Sequence, residues 1–382
     1  MAEYPSFPLL LKTISGLEGV LAEEARQMGL SKVETGKRAV HCLGTTRHVY
    51  ELNLKARTAL RVLVPIHEFR ARNEYQLYKG IQQIDWRKYL KVSGTLAVDG
   101  VLSSSLFRHS HYVALKTKDA IVDQFRQHFG RRPSINTDAP HLRVNVHIEQ
   151  ATVHVSLDSS GSSLHRRGYR RLQGQAPLNE VLAAGMVLLS GWDGKGTFID
   201  PMCGSGSILM EAGLLAGNRP PGRNRSFGFE KWPDFQADLW QEVKEEAESA
   251  IQPIEAQILG RDLDRKVLRK TRENLSWASL LDEISVKSGN FLESSPPEGG
   301  GTLIMNPPYG ERLEQESIED FYKQIGDTLK QHYHGFKAWI LSSNTPAMKR
   351  IGLRPDKKHT LFNGPLACRY YGYKMYKGSM DG

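Results

Sequence analysis

Four segments carry residues whose types and spacing could do chemistry. In Leu303-Ile304-Met305-Asn306-Pro307-Pro308-Tyr309-Gly310-Glu311-Arg312, an apolar run ends in a side-chain amide, two prolines and an aromatic. The prolines fix φ and remove two backbone donors, so nearby carbonyls face outward as free acceptors. Pro308 also forces Pro307 into an extended conformation. This arrangement suits a planar exocyclic amine. The Asn306 side-chain oxygen and the Pro307 carbonyl accept its two N–H bonds, and Tyr309 stacks on the ring. Drawing the nitrogen toward tetrahedral geometry frees a lone pair otherwise delocalised into the ring. The effect is positioning and electrostatics more than proton removal.

In Phe198-Ile199-Asp200-Pro201-Met202-Cys203-Gly204-Ser205-Gly206-Ser207, a strand ends in an acid, a glycine-containing turn follows and a helix begins. The glycines let the backbone approach a ligand, and the helix start offers free N–H groups. The turn is neither G-x-G-x-x-G nor a P-loop, because it lacks the Lys-Ser/Thr pair. An aspartate aimed into it would repel a pyrophosphate and attract an amine-bearing ligand. Gly260-Arg261-Asp262-Leu263-Asp264 ends the next strand, where an acid can bridge two ribose hydroxyls. Asp262 is the candidate there. Asp264 is a second ligand candidate or an N-cap of the following helix. In Ser288-Gly289-Asn290-Phe291, Asn290 could bond an adenine amino group with Phe291 against the ring. Cys42, Cys203 and Cys368 are far apart and form no zinc spacing. No metal is expected, and Cys203 reads as a small buried residue in the turn.

The elements that must position these residues alternate between strand and helix from Asn179 onward. Strands are expected at 197–200, 256–260, 284–287, 301–305 and 337–341, with helices at 179–190, 207–216, 235–251, 264–278 and 318–332. Residues 217–235 read as an ordered insertion. Strand-like runs at 358–362 and 370–376 flank Asn363-Gly364-Pro365. Such alternation predicts a parallel sheet with helices on both faces and an antiparallel edge. The front half reads differently. A β-α-β-α-β succession runs from Leu9 to Phe69, followed by a helix at 111–129 and a hairpin at 142–148 and 152–157.

Charge divides the chain in the same place. Residues 1–170 hold 25 Lys and Arg against 15 Asp and Glu, and the remainder holds 26 against 27. A front part that meets a polyanion is implied. With 40% hydrophobic and 24% charged residues, disorder is not expected. No apolar run approaches the roughly 20 residues of a membrane span. Residues 1–12 have no signal-peptide pattern, so a soluble cytoplasmic protein is expected.

Together, Asp200-Pro201-x-Cys203-Gly204-Ser205-Gly206 and Asn306-Pro307-Pro308-Tyr309 resemble the motifs of class I S-adenosylmethionine-dependent amino-methyltransferases. Arg167-Gly168-Tyr169-Arg170, Ala176-Pro177-Leu178-Asn179-Glu180 and Gly310-Glu311-Arg312 narrow the likeness. With the basic front, the chain resembles THUMP-domain RNA methyltransferases over nearly its whole length, and among them the bacterial enzymes that methylate guanine N2 in large-subunit rRNA. The resemblance implies an α/β fold: a Rossmann-like seven-stranded methyltransferase domain over 166–382, a ferredoxin-like unit over 1–65 and a THUMP RNA-binding domain over 66–165. It implies S-adenosylmethionine as cofactor. Asp200, Gly204 and Gly206 would lie around its methionine part, Asp262 would take its ribose and Asn290 its adenine, with Pro201, Cys203, Ser205, Asp264 and Phe291 as further cofactor-binding candidates. Ala176 and Pro177 would cover it. Asn290 replaces the more usual aspartate. Asn306, Pro307, Pro308 and Tyr309 would form the catalytic pocket. Lys116, Lys118, Arg143, Arg166 and Arg167 are the candidate RNA contacts. N6-adenine methylation of RNA or DNA, and guanine-N2 methylation of tRNA, are alternatives that four pocket residues do not separate.

Overall fold

The computed structural model describes residues 5–103, 106–169, 178–308 and 315–376, with the side chains of 315–317 excepted. The chain divides into two compact units. The first takes in the described residues up to Thr13, Ala22–Leu164 and Arg225–Glu245. The second takes in Ile14–Leu21, His165–Asn224 and the described residues from Glu246 onward.

The first unit is built on an eight-stranded sheet. In chain order its strands are β1 (Phe7–Lys12), β2 (Ser31–Gly36), β3 (Ala39–Gly44), β4 (Arg61–Arg70), β5 (Thr95–Ser103), β6 (Ser134–Ile135), β7 (Leu142–Glu149) and β8 (Thr152–Asp158). Their spatial order is β2-β3-β1-β4-β8-β7-β5-β6. Antiparallel pairing of β4 with β8 makes one sheet of the two front regions that the sequence reads separately. Helices α1 (Glu18–Gln27), α2 (Thr46–Lys55), α3 (Glu74–Gln82) and α4 (Ser110–Phe129) accompany it. Strands β7 and β8 alternate as their sequence predicts. Leu142, Val144, Val146, Ile148, Val153 and Val155 face a core shared with Leu77, Trp86 and Phe125. Where the β-α-β-α-β succession has one strand, over 33–43, the chain forms a hairpin, β2 and β3. Its turn places Arg38 at φ +54 without the Asn-Gly signal that marks such turns.

Residues 225–245, expected as part of the back domain, cluster with the first unit for aromatic reasons. Phe229 stacks on Tyr50 at 4.4 Å, and Trp240 meets Phe229 edge-on at 5.2 Å. The Tyr50 hydroxyl accepts the Gln236 N–H at 3.0 Å.

The second unit is a doubly wound sheet of seven strands: β9 (Thr197–Asp200), β10 (Gln257–Asp262), β11 (Ile284–Ser288), β12 (Gly301–Met305), β13 (Phe336–Ser342), β14 (Lys357–Asn363) and β15 (Leu366–Lys374). The order is β11-β10-β9-β12-β13-β15-β14. All neighbours are parallel except β15, which runs antiparallel to β13 and β14. This is the expected seven-stranded α/β architecture with an antiparallel edge. Helices α5 (Glu180–Ser190), α6 (Ser207–Ala216), α7 (Ala237–Ser249), α8 (Arg265–Trp277), α9 (Gln315–His332) and α10 (Thr345–Arg350) complete the chain. Helices α5 and α6 are buried on nearly every side, as their apolar composition requires. The six-residue α10 was not expected, because one and a half turns give no readable period. One face of the sheet carries Ile199, Leu303, Met305 and Ile340, which pack with Tyr322, Ile325 and Leu329 of α9.

The short segment from residue 14 to 21 contributes to this second unit. Leu17 is fully buried. A Cβ on Gly185 of α5 would lie 2.5 Å from its side chain, so glycine is required there. A truncation that removes everything before residue 165 therefore strips a core leucine from the unit it is meant to isolate.

Candidate active site

Three adjacent parallel strands deliver the chemistry to one edge. Strand β9 lies between β10, with Gly260 opposite Asp200, and β12, with Leu303 opposite Ile199. Their carboxyl ends are Asp200, Asp262 and Met305-Asn306. From β9 the chain order proceeds outward to β10 and β11 on one side and to β12 and β13 on the other. The crevice beyond β9 and β12 is thus a topological switch point, where doubly wound sheets bind ligands.

The turn after β9 is tightly held. Cys203 N–H donates to the Arg261 carbonyl at 2.8 Å, and Gly206 N–H to the Cys203 carbonyl at 2.8 Å. Gly204 N–H donates to Asp262 Oδ2 at 2.9 Å. Gly204 (φ +52) and Gly206 (φ +87) both take the left-handed conformation that favours glycine. They differ in surroundings. A Cβ on Gly206 would sit 2.7 Å from Thr271 Cγ2, whereas one on Gly204 would meet nothing within 4 Å. The space at Gly204 lets a ligand lie against the backbone.

Two residues that sequence reasoning missed hold this turn from α8. Thr271 Oγ1 donates to the Gly204 carbonyl at 2.5 Å, and Asn274 Nδ2 to the Ser205 carbonyl at 3.3 Å. Both side chains are fully buried. Polar residues on the buried face of an amphipathic helix were the available signal.

Asp200 is 1% exposed. Its Oδ1 accepts the Met202 N–H at 3.3 Å. Burial, and then the charge of Asp262, push its carboxyl well above the usual aspartate range. A buried carboxyl of this kind becomes a strong cation site once it ionises. Both oxygens of Asp262 accept backbone N–H bonds, from Gly204 and at 3.0 Å from Asp264, and its remaining lone pairs stay available. Asp264 is exposed and caps α8, accepting Lys266 N–H at 2.7 Å and Val267 N–H at 3.4 Å. The capping reading holds for it.

One candidate lies elsewhere than expected. Phe291 is 2% exposed and packs at 5.4 Å from Tyr333 in the core; its side chain is not available to stack on a ligand. The run after β11 turns inward at that residue because Asn290 caps a short 3-10 turn, taking the Leu292 N–H on Oδ1 at 3.1 Å. Pro201 is buried, and Ser205 is 8% exposed. Cys203 is 6% exposed and faces Gly260, where a Cβ would approach its Sγ to 3.5 Å. Burial and the two neighbouring aspartates push its thiol up, which removes it as a nucleophile.

At the end of β12, Pro307 is buried and Pro308 half-buried. Asn306 Oδ1 is buried and has no hydrogen-bond partner among the described residues. A buried acceptor left open costs about 1–3 kcal/mol, and such atoms cluster where a ligand completes the set. Tyr309, Ala176 and Pro177, with Gly310, Glu311, Arg312 and Arg170, lie outside the described residues.

The candidate RNA contacts divide. Arg167 is 2% exposed, and its Nε lies 3.4 Å from Glu211 Oε1, so it is a buried structural ion and not a surface contact. Arg143 is also mostly buried. It pairs with Asp99 at 3.1 Å and donates to the Thr137 carbonyl, so its guanidinium braces β5 against β7. Basic residues in a polar run look alike in sequence whether or not an acid meets them in the fold. Lys118 pairs with Asp119 at 2.6 Å, Lys116 sits 5.4 Å from the Tyr78 ring centre, and Arg166 is exposed. Among the described residues no cluster of acids, histidines or cysteines could hold a metal, and no helix is long and apolar enough to cross a membrane.

Known proteins share this organisation. A family profile described as an RlmL ferredoxin-like domain matches residues 8–63, one described as a THUMP domain matches 71–158, and one described as an RMKL-like methyltransferase domain matches 167–372. A provisionally named RNA methyltransferase of Synechocystis sp. is 39% identical over 372 residues, 97% of either chain. The ribosomal RNA large subunit methyltransferase K/L of Syntrophotalea carbinolica is 39% identical over 374 residues, which are 94% of this chain and 52% of that protein. This chain thus spans about half the length of the K/L relative. The crystal structure of SMU.472, described provisionally as a methyltransferase complexed with SAH, superposes with a TM-score of 0.89 at 30% identity. The match covers 98% of this chain and 99% of the other.

Proposed function

The chain belongs to the RMKL-like methyltransferase family with THUMP and ferredoxin-like domains, and from that premise we propose that it moves a methyl group from S-adenosylmethionine to the exocyclic N2 amine of a guanine in large-subunit rRNA. The observation that carries the reading is Asn306 Oδ1, a buried acceptor without a partner among the described residues, at the edge where Asp200 and Asp262 also end. An exocyclic N–H is the donor that this atom lacks.

The residues fit the donor. Bound S-adenosylmethionine supplies an electrophilic methyl group on a sulfonium. Asp200 would hold its α-ammonium group, Asp262 its ribose, and Gly204, with nothing within 4 Å of a hypothetical Cβ, would leave room for its backbone-like end. Ala176, Pro177 and Asn290 are assigned to the same ligand, and Tyr309 to stacking on the base, as the motif resemblance implies. On the acceptor side, Asn306 and the Pro307 carbonyl orient the amine and draw its N–H bonds, which directs the nitrogen lone pair to the methyl. No protein nucleophile takes part. The target base leaves its stack to reach Asn306, at a cost of a few kcal/mol that is smallest in a loop. The basic front holds folded RNA through phosphates and shape. The reaction is assigned to the cytoplasm.

A pH effect follows from Asp200. Its raised carboxyl stabilises the unliganded fold at pH below the ordinary aspartate range, and that contribution is lost as pH rises through the raised value. An ammonium ligand needs the ionised form, so SAH affinity should strengthen as pH rises through that value. Calorimetry across pH should show this slope in the wild type. Asp200→Asn should flatten it and weaken binding on the order of 30-fold or more. A wild-type affinity independent of pH would remove Asp200 from the ammonium site.

The polymer is tested by offering large-subunit rRNA, tRNA and double-stranded DNA separately with labelled donor. Label should enter the rRNA. Label in tRNA or DNA alone would overturn the assignment.

A further inference from the structure

A cavity of about 600 Å³ opens in the first unit, far in sequence from the residues of the proposed site, between the start of α3 and the start of α4. Arg72, Tyr75, Leu106, Arg108, His109 and Tyr112 line it. Its volume is in the range of small-ligand sites. Three of its large side chains are held out in solvent: Tyr75 is 69% exposed, Leu106 63% and Tyr112 39%. Large apolar groups clustered at an opening mark an interaction surface more often than three isolated ones would.

The polar groups at this opening select the partner. Arg72 and Arg108 are both exposed. The one lining carboxylate, Glu74, is engaged by the Tyr112 hydroxyl, which donates to Oε2 at 2.5 Å. That bond orients the Tyr112 ring, and the two guanidinium groups outnumber the one carboxylate in this lining. Lys79 Nζ, 5.9 Å from the Tyr75 ring centre, adds another cation beside the aromatic face. Exposed aromatic rings in one lining with two exposed guanidinium groups match the two parts of an unpaired nucleotide, a base with an open π-face and a phosphate. Paired RNA is a poorer fit, because an A-form helix keeps its base faces stacked inside. The excess of basic residues over residues 1–170 is complementary to the same polymer.

We propose that this cavity is a second RNA site, which takes one unpaired nucleotide with its base on Tyr75 and its phosphate between Arg72 and Arg108. The inference rests on the reading of the chain as an RNA enzyme and adds where a single-stranded part of that RNA is held. The site belongs to the first unit and does no chemistry. It contributes to RNA affinity and sets which unpaired segment accompanies the target base.

The test uses the full chain and a fluorescent single-stranded RNA of about twelve nucleotides, alone or annealed to its complement. Tyr75→Ala should weaken single-strand binding by roughly tenfold. Tyr75→Phe, which keeps the ring, should bind as the wild type does. Duplex binding and SAH affinity should be the same in all three proteins. With rRNA as substrate, Tyr75→Ala should raise KM and leave kcat unchanged. Equal single-strand affinity in wild type and Tyr75→Ala, in a wild type that methylates rRNA, overturns the cavity proposal alone. A Tyr75→Phe variant as weak as Tyr75→Ala overturns stacking. A wild type that binds neither probe and modifies no RNA overturns the RNA reading itself.

Discussion

Asn306→Ala should bind SAH as tightly as the wild type and transfer methyl groups on the order of 100- to 1,000-fold more slowly. Removing one preorganised polar contact to a reacting centre has an effect of that size, because the contact is aligned before the reaction and strengthens as charge develops. The direction of the split matters more than its size. Asn306 Oδ1 has no partner among the described residues, so losing that oxygen breaks no hydrogen bond among them and relieves a buried open acceptor. Stability should therefore stay the same or rise slightly. Single-turnover rates at saturating donor, with calorimetric SAH binding, separate the two effects. A rate near that of the wild type would remove Asn306 from the chemistry. A parallel loss of SAH affinity would move it from the acceptor side of the crevice to the donor side.

Arg167→Ala should cost about 3–5 kcal/mol of stability, the usual result of removing one partner from a buried ion pair. Arg167 and Glu211 are 2% and 1% exposed. Tyr169 donates its hydroxyl to the same Glu211 Oε1 at 2.5 Å, and burial followed by Glu211 raises its phenol well above the usual range. Between the two, Gly168 takes φ +88, where a Cβ would strike the Asn224 carbonyl at 2.4 Å. Without the guanidinium, Glu211 keeps a buried charge with one donor fewer. The double variant Arg167→Met with Glu211→Leu should recover much of the loss, because both charges of the pair are then removed together. Thermal unfolding of the three proteins measures this. If Arg167→Ala unfolds at the wild-type temperature but loses RNA affinity, the residue is a surface contact as its sequence context suggests.

Where the sequence could be read and where it could not has a physical pattern. Strand β9 to Asp200, helix α6 and strand β12 before Asn306 were legible because strong apolar runs end abruptly in a polar residue, glycine or proline. The roles proposed for Asp200 and Asn306 follow from residue type at the end of such a run. Phe291 and Arg167 were misread because each role depends on what faces the side chain, and that is set by the tertiary fold. Asp264 could be a ligand or a cap until the α8 N–H groups were seen to point at it. Thr271 and Asn274 were missed for a related reason, although their polarity on the buried face of α8 was a signal. They act one helix away on carbonyls of a turn some 67 and 69 residues earlier. The grouping of residues 225–245 with the first unit depends on Tyr50 meeting Phe229 across 179 positions, a distance over which no local pattern carries.

Mass spectrometry of nucleosides from large-subunit rRNA, after incubation of the full chain with a deuterated methyl donor, tests the central claim most directly. The label should appear in N2-methylguanosine, in one nucleotide per RNA molecule at completion. Label confined to N6-methyladenosine, or unlabelled RNA from a protein that binds SAH, would contradict it.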